Sequence, residues 1–484
     1  MFFLGNAIYM FDTKKKFTKK NAPHEPSAVT ALRKEFADCS DLEERLVETA
    51  HLRAWVFWLD GCTASDAVSE DVIRPLLRLK GSDASERALR GGVWRCSAQA
   101  RQTVREAAGD LLSGSAAVLF GRSAVILTFE VKSGARRGVE APTVEKSVLG
   151  AKDAFTETLS VNTALVRRRL QTNALKLETL SVGQLSATKV SVLRIEGKVS
   201  PAQLRAVRER LSSIGTDGLL TAGDLELCLT DEPRSAFPQL LHTERPDRFA
   251  LGLLRGQIGL LSDGLPVGFL LPGTLPEMLR VAEDRARHTA VASFLLLLRW
   301  AALFLSLLLP ALYVAVAMYH QEMIPYKLMQ SVIASKQEVP FSTAAEILGM
   351  LFSFELLQEA GIRLPESVGQ TVSIIGALIV GQSAVEAKVL SPIVIIVVAI
   401  AGIAGYTQPS QELGAAIRIW RFLLVLCALL LGMFGVAAGS MVLLWRLCNQ
   451  ETLGVAFLYP LCDAPLREGL RALLRLPGRR REKP

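Results

Sequence analysis

The 484-residue chain has little of what an enzyme or a secreted protein usually needs. Its seven cysteines (Cys39, Cys62, Cys96, Cys228, Cys427, Cys448, Cys462) form no CxxC pair and none stands beside a histidine at zinc-ligand spacing. That excludes a cysteine-rich metal site and favours a reduced chain over a disulfide framework. The five histidines (His24, His51, His242, His288, His320) are dispersed, and HExxH and GxSxG are absent. Glu196-Gly-Lys-Val-Ser200 has a Gly-Lys pair without the glycine-rich approach of a phosphate loop. No catalytic, cofactor-binding or metal-binding residue is assigned, and no enzymatic activity is expected. The start, MFFLGNAIYMFDTKKKFTKK, sets a short apolar stretch before its lysines, the reverse of a secretory signal. Residues 1–30 are expected to form a flexible leader, with the soluble half remaining in the cytoplasm.

Charge is missing from the second half. Up to about Arg287 charged residues recur every few positions, whereas from Thr289 to Leu447 they are sparse and long apolar runs take over. Ala290 to Met318 runs for 29 residues with one charge, Arg299, and is long enough to cross a bilayer with tilt. Arg299 and Trp300 fit a headgroup anchor, and Pro310 is expected to kink the later part. Further spans are expected at 369–388, 389–407 and 417–447, with an amphipathic segment, 344–360, carrying Glu346, Glu355 and Glu359. The segment is too short and charged for an ordinary span, which makes it interfacial, re-entrant or buried among the others. Gly435-Val-Ala-Ala-Gly439 is a GxxxG, a spacing that lets helix backbones approach in lipid. Gln382, Ser383, Glu386 and Lys388 cluster at one end of the second expected span, either lining a pore or sitting at the interface where the chain turns. A charge at membrane depth costs on the order of 3 kcal/mol, so it tends to face protein or water. The arginine-rich tail, 463–484, is expected to stay cytoplasmic, which requires an even number of crossings. Four are expected, although Arg418 and Arg421 then fall on the outer side.

The soluble half divides at the Gly-, Arg- and Pro-rich stretch Lys132–Pro142. Trp55–Asp60, Ala116–Phe120 and Ala124–Phe129 predict buried strands, with helices around Asp66–Leu79 and Ser97–Leu112. Beyond the linker the pattern predicts a helix over Ala151–Leu170, a strand over Lys189–Ile195 and a helix over Pro201–Ile214. A hairpin is expected about Asp263-Gly264. The fold class is therefore multi-domain: two α/β cytoplasmic subdomains (31–140 and 141–288) followed by an all-α polytopic membrane domain (289–462). The arginine run 167–169 fits a solvated or ion-paired helix face, or a contact to phosphate or acidic lipid.

Several motifs, in one order, resemble the GerA family, the A subunits of bacterial spore germinant receptors. His242-Thr-Glu-Arg-Pro-Asp247 is similar to its TERPD signature. Gly150-Ala-Lys-Asp-Ala-Phe-Thr-Glu157, with Asn162 and Leu165-Val-Arg-Arg-Arg169, is similar to a second block. Glu322-Met-Ile-Pro325, Val339-Pro-Phe341, Glu359-Ala-Gly-Ile-Arg-Leu-Pro365 and Gly376–Val385 resemble membrane-domain motifs. The chain departs where the family usually has E-D-Y-Y, carrying Glu283-Asp-Arg-Ala286. The related stage-V sporulation channel subunits share the architecture, and Pro409-Ser410 with Glu412-Leu-Gly414 is somewhat like that group. The resemblance implies a nutrient-sensing complex of the inner spore membrane, with a transporter-like B subunit and a lipoprotein C subunit. It further implies a homo-oligomer in lipid that acts as a ligand-gated ion channel, with no nucleic-acid partner. Candidate pore or gate residues are Gln382, Ser383, Glu386, Glu355 and Glu359. Thr243, Glu244, Arg245, Pro246 and Asp247 are motif residues for structure or coupling, and Pro325 and Pro340 shape the connecting segment. A non-conducting scaffold is the other function class.

Overall fold

Runs of β-branched and aromatic residues without interleaved charge fold as strands buried on both faces. In the computed structural model this holds for β2 (Arg53–Leu59) and β4 (Ser115–Phe120), the middle of the first sheet. The structure describes residues 25–49, 52–79, 84–93, 97–121, 123, 125–132, 142, 145, 150–337, 339–363 and 381–475. These fall into two compact units, one bounded by Ala135 and including Leu170–Lys176, the other holding the remainder.

In the first unit α1 (Ser27–Glu35) begins inside the expected leader. β1 (Leu42–Glu48), β2, β3 (Ala98–Arg101), β4 and β5 (Ile126–Glu130) form an antiparallel sheet in the order β1-β2-β4-β5-β3. Val56, Val118, Leu127 and Phe129 pack there with Val72 and Leu76 of the helical stretch between Ser65 and Arg78. The helix expected from Ser97 starts later. Residues 98–101 pair as an edge strand, and Thr103 caps α2 (Val104–Leu112) by accepting the Glu106 N–H at 3.3 Å.

The second unit carries a sheet of β6 (Leu175–Val182, whose first two residues fall in the first unit), β7 (Thr188–Ile195), β8 (Leu241–Thr243), β9 (Ile258–Ser262) and β10 (Gly268–Leu271), in the order β6-β7-β9-β10-β8. The β9–β10 hairpin is antiparallel with Leu261 opposite Gly268, and Gly264 adopts φ +83° in a loop wider than a two-residue turn. Helices α3 (Leu159–Arg169), α4 (Pro201–Ser212), α5 (Ala222–Leu229) and α6 (Pro246–Arg255) complete it. α3 begins eight residues later than the pattern predicts. Asn162 Oδ1 captures the Thr156 N–H at 2.8 Å, and Asp263 Oδ1 accepts the Leu159 N–H at 3.0 Å, so side chains close the first turn. Gly268 is required where α6 crosses the sheet, because a Cβ there would lie 2.7 Å from Phe249 Cδ2. Two α/β subdomains are thus present.

The helical half comprises α7 (Thr289–Tyr319), α8 (Tyr326–Lys336), α9 (Thr343–Arg363), α10 (Pro392–Tyr406), α11 (Gln411–Asn449) and α12 (Leu466–Leu473). α7 and α11 have the length and composition to cross a membrane. Large apolar side chains such as Phe294, Leu430, Phe434 (73 % exposed) and Met441 point outward, while Ser306, Glu346 and Arg421 are buried. This inverts the polarity of a water-soluble bundle and matches an apolar surrounding. Most of the second expected span lies outside the described residues, the third corresponds to α10, and the amphipathic segment is part of α9, packed among the others through Ala344, Ile347 and Leu351.

The helix of the last expected span is not straight. Gly432 takes φ +60° and ψ −136°, and the helix doubles back there. A Cβ on Gly439 would lie 2.8 Å from Leu424 Cδ2 and 3.4 Å from Cys427 Sγ. In a straight helix residues fifteen apart are separated by about 22 Å. The GxxxG therefore packs one arm of a hairpin against the other. Arms of 411–431 and 433–449 are about 31 and 25 Å long at 1.5 Å per residue, each on the scale of a hydrocarbon core. Because the chain returns, Arg418, Arg421 and Arg446 all belong to the end nearest the second subdomain. Arg418 and Arg421, expected on the outer side, stand at the same end of the hairpin as Arg446, and apolarity alone could not reveal it because apolar runs fill both arms.

Candidate functional site

The TERPD block closes on itself around α6. Pro246 opens the helix, where its missing N–H costs nothing, and Asp247 in the first turn accepts the Arg248 N–H at 2.8 Å. Buried Arg245 holds Asp247 through two bonds of 3.0 and 2.7 Å. Burial pushes the Asp247 carboxyl up, but the Arg245 guanidinium overrides this and leaves it below the usual carboxylate range. Thr243 Oγ1 donates to Glu145 Oε2 at 2.6 Å, and the other oxygen of Glu145 pairs with Arg248. The Glu244 carbonyl accepts the Phe155 N–H at 2.8 Å, tying in the Gly150–Glu157 block. Glu145 is the residue that sequence reasoning missed. It lies 98 positions from Thr243 and carries no local signal.

This block sits where the second subdomain meets the helical half. Arg299, expected to snorkel to headgroups, instead grips Asp284 at 2.7 and 3.0 Å and the Leu279 carbonyl at 3.1 Å. Both ends of the α11 hairpin return to one loop of the subdomain. Trp420 stacks on Phe237 with ring centroids 6.4 Å apart, Arg446 pairs with Glu232 at 2.7 Å, and Gln450 Nε2 donates to the Phe237 carbonyl at 3.2 Å. His242 stands between Glu412 of α11, 2.5 Å from Nδ1, and Glu226 of α5, 3.5 Å from Nε2. Burial works against charging the imidazole, yet its bond to Glu412 and the charges of the two carboxylates together raise its pKa above the ordinary histidine value. Burial and the neighbouring Glu412 raise Glu226 as well. One ligand atom from each residue of this trio lies within 4.8 Å of the others, so the donor set could hold a divalent cation as well as a shared proton.

Inside the helical half, Glu355 is turned toward α11. It accepts from Arg421 at 2.6 Å and from Arg418 at 3.2 Å, joining α9 to the first arm of α11. Nearer the other end of α9, fully buried Glu346 accepts the Ser391 N–H at 2.8 Å and stands 3.7 Å from Lys336 Nζ. Glu359 lies one turn beyond Glu355 and is exposed, as are Gln382, Ser383 and Glu386 on the stretch leading into α10. Pro325 and Pro340 are exposed and bracket α8. The pairing of Arg421 with Glu355 escaped sequence analysis, since a pattern places a charge on a helix but not the helix that answers it.

A family model described as Bacillus/Clostridium GerA spore germination protein matches residues 30–484. An uncharacterized membrane protein of Bacillus subtilis (strain 168), YfkQ, is 35 % identical over 423 residues, which is 87 % of this chain and 82 % of that one. Spore germination protein KA of the same organism is 30 % identical over 455 residues, 93 % of this chain and 84 % of that one. The crystal structure of the N-terminal domain of the A subunit of the Bacillus megaterium spore germinant receptor GerK3 aligns with a TM-score of 0.41 at 25 % identity. It covers 50 % of this chain and 92 % of that one.

Proposed function

Because the chain belongs to the GerA family of spore germination proteins, we propose that it is the A subunit of a nutrient germinant receptor. In this reading it has no catalytic step of its own. It assembles as a homo-oligomer in the inner spore membrane, with the soluble half on the core side, beside a transporter-like B subunit and a lipoprotein C subunit. Nutrient binding elsewhere in that complex opens an ion path through the helical half, and ion release starts germination.

One observation carries the reading: charged side chains lie inside a bundle that is apolar outside. Glu355 with Arg418 and Arg421, and Glu346 with Lys336, are costly to place at membrane depth and persist where helices rearrange or ions pass. The junction at Phe237, His242 and Asp284 supplies the mechanical link from the second subdomain to α7 and α11. The test is ion flux from vesicles in which the chain is reconstituted with its partner subunits. Glu355→Gln is expected to change gating, and Gln382→Ala with Glu386→Gln to change conductance or cation preference. Flux that is unaltered by all three, or that persists without this chain, refutes a conducting role and leaves a scaffold.

A further inference from the structure

Between α6, the segment 280–285, the start of α7 and the C-terminal helix α12 lies a cavity of about 670 Å³. Six arginines line it (Arg248, Arg255, Arg280, Arg285, Arg471, Arg475) against two carboxylates, Glu277 and Asp284. Neither acid is free to answer the surplus. Asp284 is held by Arg299, and Glu277 by Arg255 at 3.2 Å. Arg248 is taken by Glu145. Arg475 donates to the carbonyls of Asp284, Arg287 and Arg285, and Arg280 to that of Arg471. Among the described residues Arg280, Arg285, Arg471 and Arg475 have no carboxylate partner. Burial and the neighbouring Arg255 lower the pKa of Arg280, and burial with Arg255 and Arg475 lowers that of Arg285. Glu277 and Asp284 act the other way on Arg280 without reversing the shift, so the cations outweigh the acids in this cleft. The remaining wall is mostly apolar apart from Gln257, and includes Ala292 and Leu296 in the first turns of α7.

We propose that this cleft is a binding site for a phosphate-bearing anion, supplied by the headgroup of an anionic phospholipid whose acyl chains run along α7. Guanidinium groups match phosphate oxygens in planar, bidentate geometry, and the volume accommodates a phosphodiester with its glycerol. A bound phosphate relieves the repulsion among the arginines and clamps the second subdomain, α7 and the C-terminal segment to one ligand. Free phosphate compounds share this chemistry and are the other source.

The test uses the full chain in neutral detergent, titrated with phosphatidylglycerol or phosphatidylcholine and followed by native mass spectrometry, with inorganic pyrophosphate as competitor. Arg285→Gln with Arg471→Gln removes two charges whose side chains make no hydrogen bond among the described residues, and circular dichroism checks that the variant folds. Phosphatidylglycerol is expected to bind at least about tenfold tighter than phosphatidylcholine. The double variant erases that preference, and Arg285→Lys with Arg471→Lys retains part of it. Displacement of phosphatidylglycerol by pyrophosphate supports recognition of the phosphate itself. Pyrophosphate binding that the variant abolishes, with no lipid preference, also supports the site and assigns it to a soluble anion. Equal retention of both lipids without pyrophosphate binding overturns the proposal, as does a preference unchanged in the folded double variant.

Discussion

Replacing Glu355 by glutamine removes the counter-charge from Arg421, whose side chain is 2 % exposed. The carboxylate itself is 22 % exposed and also serves Arg418, which is 29 % exposed. Arg421 Nε already lacks a hydrogen-bond partner, so the variant strands a guanidinium with only an amide oxygen for company. Breaking a buried pair from one side costs about 3–5 kcal/mol, whereas a half-exposed partner is worth about 0–1 kcal/mol. Glu355→Gln should therefore lose about 3 kcal/mol and Arg418→Gln less than about 1 kcal/mol. The double replacement Glu355→Leu with Arg421→Leu should recover most of the loss, because a well-packed apolar pair avoids the desolvation penalty. The measurement is reversible unfolding of the detergent-solubilised full chain with sodium dodecyl sulfate, each variant set against wild type. Equal losses for Glu355→Gln and Arg418→Gln would sink the reasoning, as would an apolar pair no better than the single variant.

The doubled-back α11 places residues near 411 and the native Cys448 at one end of the helical half. With the other cysteines replaced, Gln411→Cys and Cys448 should react alike with an impermeant maleimide added from one side of oriented vesicles, and opposite labelling rejects the hairpin. Gly432→Leu should destabilise the helical half by about 2 kcal/mol or more through its positive φ, seen as a lowered melting temperature; an unchanged melt counts against the turn. For His242 and Glu226 the folded pKa values are raised, so the stability they contribute is fully present below their unfolded values and is lost as pH rises through the folded ones. Wild type should lose stability from about pH 6.5 upward more steeply than His242→Gln, and parallel profiles would disprove the linkage. Glu145→Ala strips Thr243 and Arg248 of a partner and should cost about 2–4 kcal/mol in thermal unfolding, with a loss under about 0.5 kcal/mol contradicting the assigned role.

The strands that could be recognised beforehand were those with an apolar centre, charges such as Lys189 and Arg194 of β7 lying near their ends. β2, β4, β7 and the β9–β10 hairpin are apolar runs or carry a turn signal, so burial and sequence agree. β1, Leu-Glu-Glu-Arg-Leu-Val-Glu, is an edge strand with most side chains in water, and its alternation is lost among charges. Helix starts at α2 and α3 were misplaced because side-chain caps, not periodicity, set them. The TERPD residues were recognisable as a motif, yet their purpose depends on Glu145, which only folding brings near. In the helical half, hydropathy located apolar segments but not their direction. One glycine decides whether α11 runs straight or doubles back, and a hydropathy sum counts it like any other.

The turn at Gly432 also fixes how force can travel. Both feet of the α11 hairpin rest on the loop around Phe237, and the far tip touches Tyr319 at the end of α7, whose hydroxyl donates to the Leu429 carbonyl at 2.5 Å. A rod planted at one end and loaded at the other is a lever. With an arm of about 31 Å, a tilt of about 5° at the base carries the tip about 3 Å, roughly the width of a water molecule. A change at the subdomain too small to unseat Trp420 would thus be magnified at the far end of the helical half, beside Tyr319.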